Sequence, residues 1–180
     1  MRIEPHSSLA ICIDVQERLF HHMDSYISLE MKLVTLTKGL QLFNVPMIIS
    51  EQYTKGLGET VSALVETFND YTPMEKSAFS CYDDTAIRSA IEQSDRKTII
   101  LYGIESHVCV LQTAIDLRAH NYSVVVVADA VSSRHAADKD FALRRMQHEG
   151  VMLASTESLL FEICRYSGTD TFKKLSELVK

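Results

Sequence analysis

The sequence predicts an α/β fold: a three-layer α/β/α arrangement around a central parallel sheet of about six strands, Rossmann-like, in the order 3-2-1-4-5-6. Three observations predict it. Short apolar runs with β-branched residues alternate with longer amphipathic stretches along the whole chain. That alternation, strand then helix throughout, calls for parallel strands joined by right-handed crossovers on both faces. The run from Ser123 to Ala128 is nearly continuous valine, as expected of a strand covered on both sides.

Each element has its own signal. Leu9 to Val15 is the first strand, set off by Ser7-Ser8. The helix over Leu29 to Phe43 is carried by Leu29, Leu33, Leu36, Leu40 and Phe43 at steps of four and three, with Asn44 as its left-handed end and Pro46 barring continuation. Met47 to Ser50 is the second strand. A loop rich in Gly and Thr leads to a helix over Glu59 to Phe68, and Met74 to Ser77 forms a short third strand. Asp83 or Asp84 caps a helix running to about Gln93. Thr98 to Tyr102 is the fourth strand, followed by a helix from Val108 to Ala119. The valine run is the fifth strand, and a helix from Ala137 to His148 stops at Gly150. Val151 to Ala154 is the last strand, Ser155 caps a helix towards Arg165, and a final helix spans Thr169 to Val179.

The composition excludes several classes. Of 180 residues, 46% are hydrophobic and 23% charged, with only three prolines and six glycines, so residues 1–180 read as one unit without a linker. A net charge of −6 disfavours a grip on nucleic-acid phosphates. The longest strongly apolar run, 124–128, is far short of the roughly 20 residues that span a bilayer, so no membrane partner is expected. The start shows no basic region followed by a long apolar stretch. Cys12, Cys81, Cys109 and Cys164 show neither C-x-x-C spacing nor zinc-finger histidines. The expectation is a cytoplasmic protein with free thiols.

In a doubly wound sheet the chemistry sits beyond the C-terminal strand ends, which directs attention to a few residues. Asp14 ends the first strand, where it is either a cap or loop ion pair or a site carboxylate. Glu51 ends the second and reads as polar loop; Lys76 follows the third. Cys109 lies in Gly103-Ile104-Glu105-Ser106-His107-Val108-Cys109-Val110 after the fourth. With Ser106 as N-cap, Cys109 falls in the first helical turn, where the dipole favours thiolate and unpaired N–H groups can hold an oxyanion. The other reading of Cys109 is a small buried hydrophobe. Cys12 and Cys164 read as structural, and Cys81 as a partly exposed loop residue. Asp129, ending the fifth strand, reads as structural. Gly56-Leu57-Gly58 lacks the third glycine of a dinucleotide fingerprint, so no nucleotide cofactor is expected.

Together, Ile11-Cys12-Ile13-Asp14-Val15-Gln16, Glu75-Lys76-Ser77 and Gly103 to Val110 resemble the isochorismatase-like cysteine hydrolases, a superfamily that includes nicotinamidases. Ser50-Glu51-Gln52-Tyr53, Lys55-Gly56-Leu57-Gly58 and Val127 to Arg134 resemble its isochorismatase-domain-containing subgroup. The resemblance covers nearly the whole chain. It implies a catalytic triad of Asp14, Lys76 and Cys109, acting on a small amide or related carbonyl compound through a thioester. It also implies a cis peptide between Ile104 and Glu105, an oxyanion hole from the Glu105 and Cys109 N–H groups, and a homo-oligomer. By position, Gln16, Phe20, Tyr53, Phe79 and His107 are expected to line the substrate pocket. Two departures matter. Nicotinamidases carry an Asp-x-His metal segment where this chain reads Glu51-Gln52-Tyr53, so no metal and no other cofactor is expected. True isochorismatases typically lack the nucleophilic cysteine that this chain has. The alternative is a non-catalytic scaffold on the same fold.

Overall fold

The computed structural model describes residues 2–180 and contains the strands β1 (Ser8–Ile13), β2 (Met47–Gln52), β3 (Met74–Lys76), β4 (Thr98–Ile104), β5 (Ser123–Ser132) and β6 (Met152–Ala154). They form one six-stranded parallel sheet, as the alternation in the sequence implies, and its order is the expected β3-β2-β1-β4-β5-β6. The helices are α1 (Glu17–Phe20), α2 (Tyr26–Leu42), α3 (Thr54–Leu57), α4 (Ser62–Val65), α5 (Thr85–Gln93), α6 (Leu111–Ala119), α7 (Ala136–His148), α8 (Thr156–Cys164) and α9 (Asp170–Leu178). Asp84 caps α5 by accepting from the Ala86 and Ile87 N–H groups, and Ser155 caps α8 through the Ser158 N–H.

The sheet separates two cores, and strand alternation sorts side chains between them. Ala10, Cys12, Ile100, Tyr102, Val125 and Val127 face α2, α8 and α9, joining Leu33, Leu36, Leu40, Leu160 and Leu175. Leu9, Ile11, Ile13, Ile99, Leu101, Val124 and Val126 face α5, α6 and α7, joining Ile87, Ile91, Leu117 and Met146. α8 approaches α2 closely: a Cβ on Gly39 would lie 2.5 Å from the Leu160 side chain.

The structure departs from the sequence reading in four places. The predicted helix over Glu59 to Phe68 is the single turn α4, because the chain before it first bridges back to β1 through Gln16 and Thr60. β2 runs on to Gln52, so Glu51 is a buried strand residue rather than a polar loop. β5 runs on to Ser132 rather than ending at Ala128. Leu101 pairs with Val126 but Gly103 with Val131, so extra residues bulge out of the fifth strand and pairing then resumes. The bulge carries Asp129, which accepts from Thr156 N (2.7 Å) and Thr156 Oγ1 (2.9 Å) and ties the strand to α8. Finally, residues 106–110 form a π-helical turn ahead of α6, and Glu105, not Ser106, occupies the cap position. Ser106 cannot cap because its Oγ is buried, and it has no hydrogen-bond partner among the described residues.

Gly103 lets β4 pass β1 at the site end of the sheet. Its φ is +115°, and an added Cβ would sit 2.2 Å from the Ile13 carbonyl oxygen. Backbone cannot yield as a flexible side chain does. Gly103→Ala is expected to lower stability by about 2–4 kcal/mol, read as a reduced urea midpoint with unchanged slope.

Candidate active site

The centre of the site is built by register. β1 pairs Ile13 with Ser50 on one side and Gly103 on the other, so the next residue, Asp14, emerges beside the ends of β2 and β4. Asp14 turns the chain with φ +52°, a costly conformation held by its N–H donating to the Ser50 carbonyl (3.1 Å). β2 pairs Gln52 with Lys76, which brings the β3 lysine to the same edge.

There Lys76 Nζ donates to Asp14 Oδ2 at 2.7 Å, with both side chains at most 1% exposed. The same ammonium reaches Gln52 Oε1 (2.7 Å) and the carbonyls of Ala78 and Phe79 (3.2 Å each), so all three protons have acceptors. Ser50 Oγ donates to Asp14 Oδ1 at 2.7 Å. A buried pair of opposite charges is retained only when its remaining valences are satisfied, and here they are. Burial is the largest single influence and works against the ammonium, but the Asp14 charge, the neighbouring Cys109 and Cys81 and the hydrogen bond to Asp14 together outweigh it, holding Lys76 above the ordinary lysine value.

Cys109 is the fourth residue of the π-helical turn and is 7% exposed. The Glu105 carbonyl accepts from the N–H groups of Val108 (3.1 Å) and Val110 (3.2 Å) and skips that of Cys109. The peptide between Ile104 and Glu105 is cis. The Glu105 carboxylate turns away to accept from Arg134 Nε at 3.0 Å.

The charge state of the thiol corrects the reading from helix position. Burial pushes the Cys109 thiol well above its ordinary value, the Asp14 charge adds to this, and Lys76 only partly opposes them. The proton is thus held on the sulfur by burial and by the neighbouring Asp14 charge, rather than drawn off by a helix dipole. Attack by this sulfur would need a base to receive its proton, and Asp14 is the carboxylate whose charge bears on it.

The residues expected to line the pocket divide. Tyr53 and Phe79 are 56% and 54% exposed, and the Tyr53 ring lies over Gly56. His107 is half-buried, with Nδ1 2.9 Å from Ser133 Oγ. Phe20 is not a lining residue: it is fully buried in the core beside α2, edge-on to Tyr26. Gln16 is not one either, because it is fully buried and its amide is consumed as a strut. Its Oε1 accepts from Gln52 N (2.7 Å), and its Nε2 donates to the carbonyls of Gln52 (3.0 Å) and Gly58 (2.6 Å). Both follow Asp14 closely, and the turn there carries them inward.

Two neighbours of the centre carry no local sequence signal. Ser50 is an ordinary strand serine until the register sets it against Asp14. Cys81 is fully buried, not partly exposed: Thr113 Oγ1 on α6 holds its N–H (2.9 Å), and its Sγ lies 3.6 Å from Ser50 Oγ.

The segment where nicotinamidases hold a metal has other work here. Glu51 Oε1 accepts from Thr60 N, Thr60 Oγ1 and Tyr71 OH, each at 2.7 Å. Gln52 serves Lys76 and donates to the Ser77 carbonyl (2.8 Å). Tyr53 points out. These donors do not make a metal site, and among the described residues no three His, Cys, Asp or Glu side chains gather as one would need.

Comparison with known proteins places the architecture. The family model described as the isochorismatase domain matches residues 8–158. A secreted isochorismatase effector of Phytophthora sojae is 36% identical over 184 residues, covering 99% of this chain and 87% of that protein. Isochorismatase domain-containing protein 1 of Salmo salar is 34% identical over 98% of this chain, which spans only 62% of that protein's length. Among solved structures, the MAR1 ribonuclease from Caenorhabditis elegans superimposes with a TM-score of 0.92 at 33% identity, covering 99% of this chain and 92% of that one. The YcaC gene product of Escherichia coli, an octameric hydrolase of unknown specificity, gives a TM-score of 0.93 at 21% identity, over 99% and 90% of the two chains.

The buried pair makes a stability prediction. Lys76→Met leaves the Asp14 charge without its cation and is expected to cost about 3–5 kcal/mol at pH 7 in urea unfolding. Because Lys76 is held above the ordinary value of 10.5, its contribution is complete at neutral pH and declines only as pH rises through that raised value. The wild type should lose stability on that alkaline limb, and Lys76→Met should not show it.

Proposed function

The chain belongs to the isochorismatase family, and from that premise we propose that it is a cysteine hydrolase of a small amide or related carbonyl substrate. The observation that carries this reading is the buried ion pair of Asp14 with Lys76, whose carboxylate charge also helps keep the proton on the Cys109 thiol.

Cys109 Sγ attacks the carbonyl carbon while its proton passes to Asp14, forming a C–S bond and a tetrahedral oxyanion. The N–H groups of Glu105 and Cys109 receive that oxyanion. Collapse breaks the C–N bond, with Asp14 returning the proton to the departing amine. Water then attacks the thioester as Asp14 takes its proton, the C–S bond breaks, and the thiol is restored. Lys76 keeps Asp14 in place and balances its charge through each transfer. Tyr53, Phe79 and His107 stand where they can select the substrate.

Two further readings have specific motives. The Caenorhabditis elegans relative is titled a ribonuclease, whereas a net charge of −6 and a site built on one thiol favour an uncharged carbonyl substrate here. Cleavage of a labelled RNA that is abolished by Cys109→Ala would overturn the carbonyl reading. A non-catalytic scaffold would have no use for a buried ion pair beside a thiol. Homo-oligomerisation also belongs to the proposal. Exposed apolar side chains away from the site include Ile27 (65%) and Met31 (62%) on α2, Phe141 (69%) on α7 and Tyr166 (71%) between α8 and α9. Light scattering is expected to return a multiple of the 20.3 kDa chain. Four free thiols suit a reducing compartment such as the cytoplasm.

The decisive test is the rate at which each thiol is alkylated by iodoacetamide at pH 7, followed by mass spectrometry. Accessibility alone ranks Cys164 ahead of Cys109, since Cys164 is half-buried and Cys109 is buried. We expect the reverse order, with Asp14→Asn slowing Cys109 by about 10²-fold. Equal or slower labelling of Cys109 in the wild type sinks the reading. Incubation with simple amides should leave an acyl mass on Cys109 that names the substrate class.

A further inference from the structure

Asp14 meets a second thiol system that the reaction above does not use. Ser50 grips Asp14 twice, accepting its N–H at the Ser50 carbonyl (3.1 Å) and donating its hydroxyl to Oδ1 (2.7 Å). A serine hydroxyl has one proton, and a carboxylate can only accept, so that proton is committed to Asp14. Cys81 Sγ, 3.6 Å from Ser50 Oγ on the far side, can then act only as the donor. All three residues are at most 1% exposed, so no solvent competes for these bonds.

We propose that Ser50, with its hydroxyl oriented by the Cys81 thiol, is a positioning residue that sets both the direction and the basicity of Asp14. The inference rests on Asp14 being the base described above. The carboxylate has two oxygens, of which Lys76 and Ser50 each take one, and its charge bears on the Cys109 thiol. Without the hydroxyl, Oδ1 is freed, the carboxylate can rotate about its stem, and the anion loses a charge-assisted hydrogen bond. The titratable groups coupled to Asp14 are Lys76 from β3, Cys109 from the π-helical turn, Cys81 from the segment before α5 and Cys12 from β1. Burial first, then the Asp14 charge, lifts Cys81 to about 11, so it stays a proton donor through the working range. Burial raises Cys12 as well, so it contributes no charge of its own there.

In the reactive form Asp14 and Cys109 hold one proton between them; at lower pH the pair holds two, and the loss of the second marks the acid limb of Cys109 reactivity. Removing a donor to the charged acceptor makes that loss harder. The test is the pH dependence of iodoacetamide alkylation of Cys109 in the whole protein, read by mass spectrometry, with thermal melts as the control for folding. Ser50→Ala is expected to move the acid limb upward by about one pH unit. Ser50→Thr, which keeps the hydroxyl, should restore it. Cys81→Ala should shift it in the same direction by less, and Cys81→Ser should not. A Ser50→Ala profile that only falls in height, with its limb unmoved, overturns the positioning role while leaving the base in place. So does failure of Ser50→Thr to restore the limb. If Asp14→Asn leaves the wild-type profile unchanged, the base reading itself fails, and the role of Ser50 falls with it.

Discussion

The arrangement around the site depends on one interaction, the ion pair of Asp14 and Lys76, whose side chains are both buried. Two charges taken out of solvent are expensive, and their mutual attraction compensates only when every other lone pair and proton has a partner. That requirement explains features that look unrelated. Gln52 turns its side chain back towards the sheet, the backbone at Ala78 and Phe79 bends its carbonyls inward, and Ser50 points at Asp14 rather than at the core. The loop after β3 follows the path it does because Lys76 needs its oxygens.

The same pair sets the chemistry of the thiol. An isolated cysteine at a helix start gains from the dipole and loses its proton readily. Cys109 instead sits in a turn whose neighbouring N–H groups are drawn to the Glu105 carbonyl, next to an anion that is itself already neutralised. Lys76 is spent on Asp14, so little of its field is left to stabilise a thiolate. The resting state keeps the proton, and the carboxylate that helps keep it there is the one the proposed reaction uses as base.

What was legible in the sequence follows from this physics. The parallel sheet and the positions of its strands could be read because burial on both faces leaves a pattern of β-branched runs; the ends of β2 and β5 could not, because pairing carries both strands past their first polar residues. Asp14 stood out as a charge directly after an apolar strand, whereas Lys76, last residue of the short Met-Glu-Lys strand, had no signal of its own and entered only with the resemblance. Ser50 and Cys81 did not stand out, since their importance comes from register between β1 and β2 and from the path of a loop, neither of which has a local signature. Gln16 and Phe20 misled for a related reason. Two and six residues after Asp14 they seemed bound to share its surroundings, but a left-handed turn at Asp14 redirects the chain into the interior. The helix expected over Glu59 to Phe68 shrank because a tertiary bridge to Gln16 took the backbone that propensity would have coiled. The thiol's protonation state was misjudged because burial is invisible to position within a helix.

Glu51 carries a consequence of a mechanical kind. One of its oxygens holds Thr60 by backbone and side chain, and also holds the phenol of Tyr71, whose proton burial secures by lifting its titration to about 12. Gln16 ties Gln52 to Gly58 just above. The two segments that wall this side of the mouth are therefore pinned to one atom. Neither can lift off the sheet alone without leaving a buried carboxylate short of donors. Breathing of the mouth on this side is a concerted event, and the segments from Thr54 to Thr60 and around Tyr71 form a single cooperative unit rather than two independent flaps.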